Sequence, residues 1–160
     1  MKVEILEINT GKLVGAAITK IKDVDFDIIE SIGAFKTFNW HERRSSKHEI
    51  YKLSKNGTIL GLVQFFYQSF YQAVEINILE SSIDNVGRNK KYDHIAGCLI
   101  SYACLHSLKK YSGDVIAMHK KETKDNYLIK YSMELYQQHF VRSNRNNSIS
   151  LVAKYLKLVL

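Results

Sequence analysis

Proline is absent from this chain of 160 residues, tryptophan occurs once, and there are only two cysteines and eight glycines. Cys98 and Cys104 lie six residues apart in a segment with helical spacing, which turns them apart around the helix and excludes a disulfide between them. They belong to no metal-ligand spacing, so they read as small core hydrophobes in a reducing compartment, and no metal is expected. No apolar run is long enough to cross a bilayer. The segment Met1-Lys2-Val3-Glu4-Ile5-Leu6-Glu7 carries charge through its apolar residues and resembles neither a signal peptide nor a transit peptide. The expectation is a soluble, cytoplasmic protein with no membrane partner. No repeat, linker or low-complexity stretch interrupts the chain. A chain of this length buries a core without disulfide or metal staples, so residues 1–160 read as a single domain.

Positive charge is in excess, with 23 Lys and Arg against 16 Asp and Glu, a net of +7. That favours anionic partners without naming one. The basic residues are scattered, as in Arg43-Arg44, Lys90-Lys91, Lys109-Lys110, Lys120-Lys121, Arg142 and Arg145. A nucleic-acid partner stays open, but no helix-turn-helix, zinc or RNA-recognition motif supports it.

Residues 2–8 alternate like a strand, and 23–32 carry apolar residues at helical spacing up to Gly33. Residues 35–47 hold Trp40 and a polar run at 41–46 that reads as exposed loop. Strands at 49–53 and 58–67 flank Asn56-Gly57, the strongest short hairpin signal, and 73–80 completes an antiparallel meander. A helix follows at 94–110, then a short buried strand at 114–119 after Gly113. Thr123 and Asp125 offer N-caps for a helix running to about Tyr136. Residues 140–142 and 148–151 read as a late hairpin, and 152–160 as a closing helix. The layout is α+β, a mainly antiparallel sheet covered by helices.

One segment stands out. Lys90-Lys91-Tyr92-Asp93-His94-Ile95-Ala96-Gly97 passes from a basic loop straight into a helix whose first turn holds two very small residues. The first N–H groups of a helix have no partner within it, and the helix dipole places partial positive charge there. Ala96 and Gly97 keep side chains clear, so the segment reads as a seat for a phosphate. The plainer reading of the lysine pair is a solvated loop.

This order of elements resembles the GNAT N-acetyltransferase superfamily, and the resemblance implies an α+β fold in α/β/α layers, a mixed, mainly antiparallel sheet with helices on both faces. That family's diphosphate loop runs Gln or Arg, two residues, Gly, one residue, then Gly or Ala. Here Lys91-Tyr92-Asp93-His94-Ile95-Ala96 fills the frame, and Leu99-Ile100 supplies the apolar pair that follows. Tyr131-Ser132-Met133-Glu134-Leu135-Tyr136 resembles the late Tyr-x-x-x-Gly-aromatic segment. Lys91, His94 and Leu135 depart from the pattern, and the asparagine expected seven residues before the late tyrosine falls at Lys124.

The resemblance implies an acetyl-coenzyme A-dependent N-acetyltransferase, with acetyl-coenzyme A as cosubstrate. Tyr92, His94, Ile95, Ala96 and Gly97 would hold the diphosphate beside Lys91, and the pantetheine arm would pair with the strand end at Ile78 and Leu79. Tyr131 is the candidate acid for the departing thiolate and Glu80 the candidate base, with Glu75 and His119 behind it. Core packing explains Tyr131, and a strand-end ion pair explains Glu80, as readily. The rings at 65–67 and 70–71, with the Trp40 region, would line the pocket of an amine acceptor, small molecule or macromolecule. A monomer or a homodimer is expected. His94 and Leu135 leave a second reading, a non-catalytic GNAT-like binding or regulatory module.

Overall fold

The computed structural model describes residues 1–46 and 48–160; Lys47, the last residue of the segment 35–47, lies outside them. Among the described residues nine strands are hydrogen-bonded in the order β6-β1-β2-β3-β4-β5-β7-β9-β8. They are β1 (Lys2–Glu7), β2 (Lys12–Lys20), β3 (Glu49–Lys55), β4 (Thr58–Gln68), β5 (Ala73–Ser81), β6 (Tyr92–Asp93), β7 (Asp114–Met118), β8 (Glu134–Tyr136) and β9 (Phe140–Ser143). The helices are α1 (Asp23–Ile32), α2 (Ile95–Lys110), α3 (Lys121–Asp125) and α4 (Arg145–Leu151), with π-helical turns at Asn126–Lys130 and Val152–Leu156. The chain divides into two compact units, Met1–Gln64 with Ile78–Leu99, and Phe65–Asn77 with Ile100–Leu160.

In the first unit β1 and β2 form a hairpin, from Lys2 opposite Ala17 to Glu7 opposite Lys12. Sequence patterning leaves 12–20 unassigned because its apolar residues are diluted by Gly15 and lysines, and only Ile18 of this strand is buried. Asn56 and Gly57, with φ of 49° and 81°, form the turn between β3 and β4 that their sequence predicts. α1 ends on Gly33 in the left-handed region, whose N–H returns to the Ile29 carbonyl at 3.3 Å. Its inner face buries Phe26 and Ile29 against Trp40, Ile50, Ile59, Leu62 and Ile78. Trp40, at 2% exposure, and Phe65, at 0%, are core residues rather than pocket walls.

In the second unit β5 runs parallel to β7, from Ala73 opposite Asp114 to Ile76 opposite Ala117. β7 also pairs with β9, and β9 with β8, both antiparallel. The late hairpin is therefore 134–136 with 140–143. The expected strand at 148–151 is part of α4, started by Asn144, whose side chain accepts the Asn147 N–H. The expected helix to Tyr136 stops at Lys130. Ser132 takes φ 51° and the Met133 N–H reaches back to the Tyr127 carbonyl at 3.0 Å. That is a left-handed stop made with serine where glycine is usual, so the sequence gives little warning of it. The closing helix at 152–160 shortens to the π-helical turn at Val152–Leu156, ended by Lys157 at φ 57°.

Candidate active site

His94 is the hinge of the loop in the first unit. Its φ of 72° lies in the left-handed region, the conformation a glycine supplies at no steric cost. This turn ends β6 and starts α2, and the Cys98 N–H closes on the His94 carbonyl at 2.8 Å as an early bond of the helix. Ile95, Ala96 and Gly97 form the first turn of α2, whose N–H groups have no partner inside the helix.

Tyr92 does not belong to that set of donors. Its N–H donates to the Asn85 side-chain oxygen at 3.0 Å, and β6 pairs with β1 through Leu6 opposite Asp93 and Glu7 opposite Tyr92. Asn85 in turn donates to the Ser82 hydroxyl at 2.7 Å, so one buried asparagine fixes the loop. Sequence reasoning missed it; its only signal is Ser82 three residues earlier, a turn-forming pair. Asp93 is the second residue missed. One carboxylate oxygen accepts the His94 N–H at 2.7 Å, and the other pairs with the Lys90 ammonium at 2.7 Å. Lys91 pairs with Asp84 at 3.6 Å. A carboxylate of the chain itself therefore sits at the loop where a diphosphate would come.

Ile78, Leu79 and Glu80 continue β5 past Ile76, the last residue of its ladder with β7. Glu80 is 8% exposed. Its two oxygens accept the Thr37 backbone N–H at 2.8 Å and the Trp40 indole N–H at 2.7 Å. The carboxylate thereby ties residues 37–40 to β5, in place of the ion pair that a strand-end glutamate suggests. A cavity of about 320 Å³ opens nearby, lined by Ile28, Ile32 and Phe35 on one side and Lys55, Lys91 and Tyr92 on another.

Tyr131 lies in the second unit, just beyond the π-helical turn, with φ −112°. It does not share a helix with Tyr127, although the two rings remain 6.3 Å apart. Tyr131 is buried beside Tyr155, and Asn147 donates to its carbonyl at 3.0 Å. Burial pushes the Tyr127 phenol up to about 12, so it stays protonated. His119, one residue past β7, buries both ring nitrogens without a hydrogen-bond partner among the described residues. An imidazole so placed lacks the partners that buried polar atoms ordinarily have.

Neither a family model nor a curated protein sequence matches the chain. Solved structures do. PaiA N-acetyltransferase from Thermoplasma acidophilum, in complex with coenzyme A, superposes with a TM-score of 0.60 over 82% of this chain and 99% of its own, at 11% identity. An N-acetyltransferase from Staphylococcus aureus Mu50 gives 0.56 over 81% and 98%, at 15% identity. AtaTR bound with acetyl-coenzyme A gives 0.59 over 85% and 97%, at 14% identity. The mixed, mainly antiparallel sheet with its helices is the GNAT N-acetyltransferase fold.

Proposed function

We propose that the chain is an acetyl-coenzyme A-dependent N-acetyltransferase that passes the acetyl group directly to an amine, within a single GNAT-like domain 1–160. The observation that carries this reading is the left-handed turn at His94, which delivers the chain into the small-residue start of α2 as a glycine would. Acetyl-coenzyme A supplies an activated acetyl group as a thioester. The first-turn N–H groups of Ile95, Ala96 and Gly97 would hold its diphosphate, with Lys90 and Lys91 adding charge. The backbone at 78–80 would pair with the pantetheine arm. Tyr131 would donate the proton to the leaving thiolate. Glu80 would take the proton from the amine, with Glu75 and His119 as alternatives; Glu80 already holds two donors, and the His119 ring nitrogens are buried without a hydrogen-bond partner among the described residues. No acceptor follows from these residues.

Asp93 supports the second reading, a non-catalytic GNAT-like module, because its carboxylate competes with a diphosphate for the loop. Calorimetry with acetyl-coenzyme A decides between them, using the wild type and Ala96→Glu. A carboxylate in the first turn of α2 strengthens the helix by about 0.3–1 kcal/mol while repelling a diphosphate. The acyltransferase reading predicts binding by the wild type, lost at least roughly tenfold in the variant with the melting temperature held or raised. Absence of binding by the wild type overturns it.

A further inference from the structure

The net charge is not shared evenly. The unit formed by Phe65–Asn77 and Ile100–Leu160 has ten Lys and Arg against five Asp and Glu, and so carries +5 of the total +7. The same unit displays aromatic rings on its surface. Phe70, in the turn after β4, is 84% exposed, and Tyr71 beside it is 40% exposed. Single exposed apolar side chains are ordinary on a protein surface, but a connected group of rings is not. Phe70 meets Tyr71 edge-on at 5.0 Å, and Tyr71 meets Tyr136 of β8 edge-on at 6.4 Å. The Arg142 guanidinium lies over Tyr136 at 5.6 Å, steadied by the Asp114 carboxylate through its Nε at 3.1 Å. On the other side of the turn the Ser69 hydroxyl reaches the Tyr111 hydroxyl at 3.4 Å. The Lys110 ammonium there stands 3.9 Å from the Tyr67 ring centre and 5.8 Å from that of Tyr111.

We propose that this aromatic and cationic surface, centred on Phe70, Tyr71 and Tyr136, binds single-stranded RNA. Phe70, 84% exposed, and Tyr71, 40% exposed, offer ring surface to unpaired bases, while Lys110 and Arg142 beside the rings meet the phosphates. Charge complementarity selects a polyanion over an apolar peptide, and exposed rings select unpaired bases over a duplex, whose bases are stacked away. Unpaired bases are the rule in the loops and ends of RNA. None of its rings belongs to the proposed donor site; Phe70 and Tyr71 are among the rings expected to line the acceptor pocket, so the test reads RNA binding with no acetyl transfer involved.

The test is fluorescence anisotropy of the full chain with a labelled 20-nucleotide oligouridylate, with single-stranded DNA and an RNA duplex of equal length as comparators. The inference predicts that the single-stranded RNA binds more tightly than the duplex. The logarithm of its affinity should fall linearly with the logarithm of salt concentration, with a slope of roughly 0.7 for each phosphate neutralised. Phe70→Ala and Tyr136→Ala should each weaken it about tenfold with an unchanged melting temperature, and Phe70→Tyr should restore it. Three results would overturn the inference. One is no binding at 50 mM salt with protein at tens of micromolar, and another is indifference to ring removal or a preference for the duplex or for DNA. The third is sedimentation of the wild type as a dimer that Phe70→Ala dissociates, which would make a second copy the occupant of the rings.

Discussion

Replacing Glu80 with glutamine keeps the length of the side chain but turns one acceptor into a donor. In the native chain both oxygens receive N–H groups, from Thr37 and from the buried indole of Trp40. Glutamine faces one of those donors with its own NH₂, leaving a buried N–H unmatched. Glu80→Gln should therefore lower unfolding stability by about 1–3 kcal/mol, read as a shift of the urea midpoint. An unchanged midpoint would mean that residues 37–40 are held by something else. Tyr131 makes the complementary case. Its backbone is held through Asn147, so Tyr131→Phe removes the hydroxyl while leaving that anchor in place. The expected outcome is slowed acetyl transfer with acetyl-coenzyme A affinity nearly intact, and turnover equal to that of the wild type would remove the acid role.

The start of α2 is set by its contact with β4 as much as by its own sequence. A methyl group added at Gly61 would stand 2.5 Å from the Ile95 Cγ2 and 3.0 Å from a Leu99 methyl. That glycine is the reason the first turn of α2 can lie so close to the sheet. Gly61→Ala should push Ile95 outward and cost about 1–3 kcal/mol of stability, with a parallel loss of acetyl-coenzyme A affinity measured by calorimetry. Retained stability and affinity together would show that the helix start tolerates displacement. What sequence patterning could read was local: the Asn56-Gly57 turn, the Gly33 helix stop, and the stripe and small residues of α2 each announce themselves within a few positions. Elements that depend on distant partners did not. The strand at 12–20 is recognisable by its pairing with β1, the stop at Ser132 uses a left-handed serine, and 148–151 fall into α4 because Asn144 caps it. The candidate site divides the same way. His94, Ala96 and Gly97 are visible as a motif, whereas the Asn85 and Asp93 contacts that shape the loop, and the engaged carboxylate of Glu80, need three dimensions to appear.

Each compact unit contains one cysteine: Cys98 in the first and Cys104 in the second, both buried, neither in a disulfide, and both on α2. α2 belongs to both units, with 95–99 in one and 100–110 in the other, and β4 and β5 likewise pass from one to the other. A unit that unfolded alone would have to break a continuous helix in its middle, giving up i to i−4 bonds on either side of Leu99. The two thiols are thus reporters of whether the chain behaves as the single domain proposed for it. Burial pushes the Cys104 thiol up to about 12, so it holds its proton at any pH used for labelling, and the thiolate is the reactive form. In the native protein at pH 8 neither cysteine should react with a disulfide reagent. Across a urea series, followed residue by residue by mass spectrometry, Cys98 and Cys104 should become reactive with one midpoint, coincident with the loss of far-UV circular dichroism. Two separated midpoints would show that the units unfold independently, and the order of the two would name the weaker one.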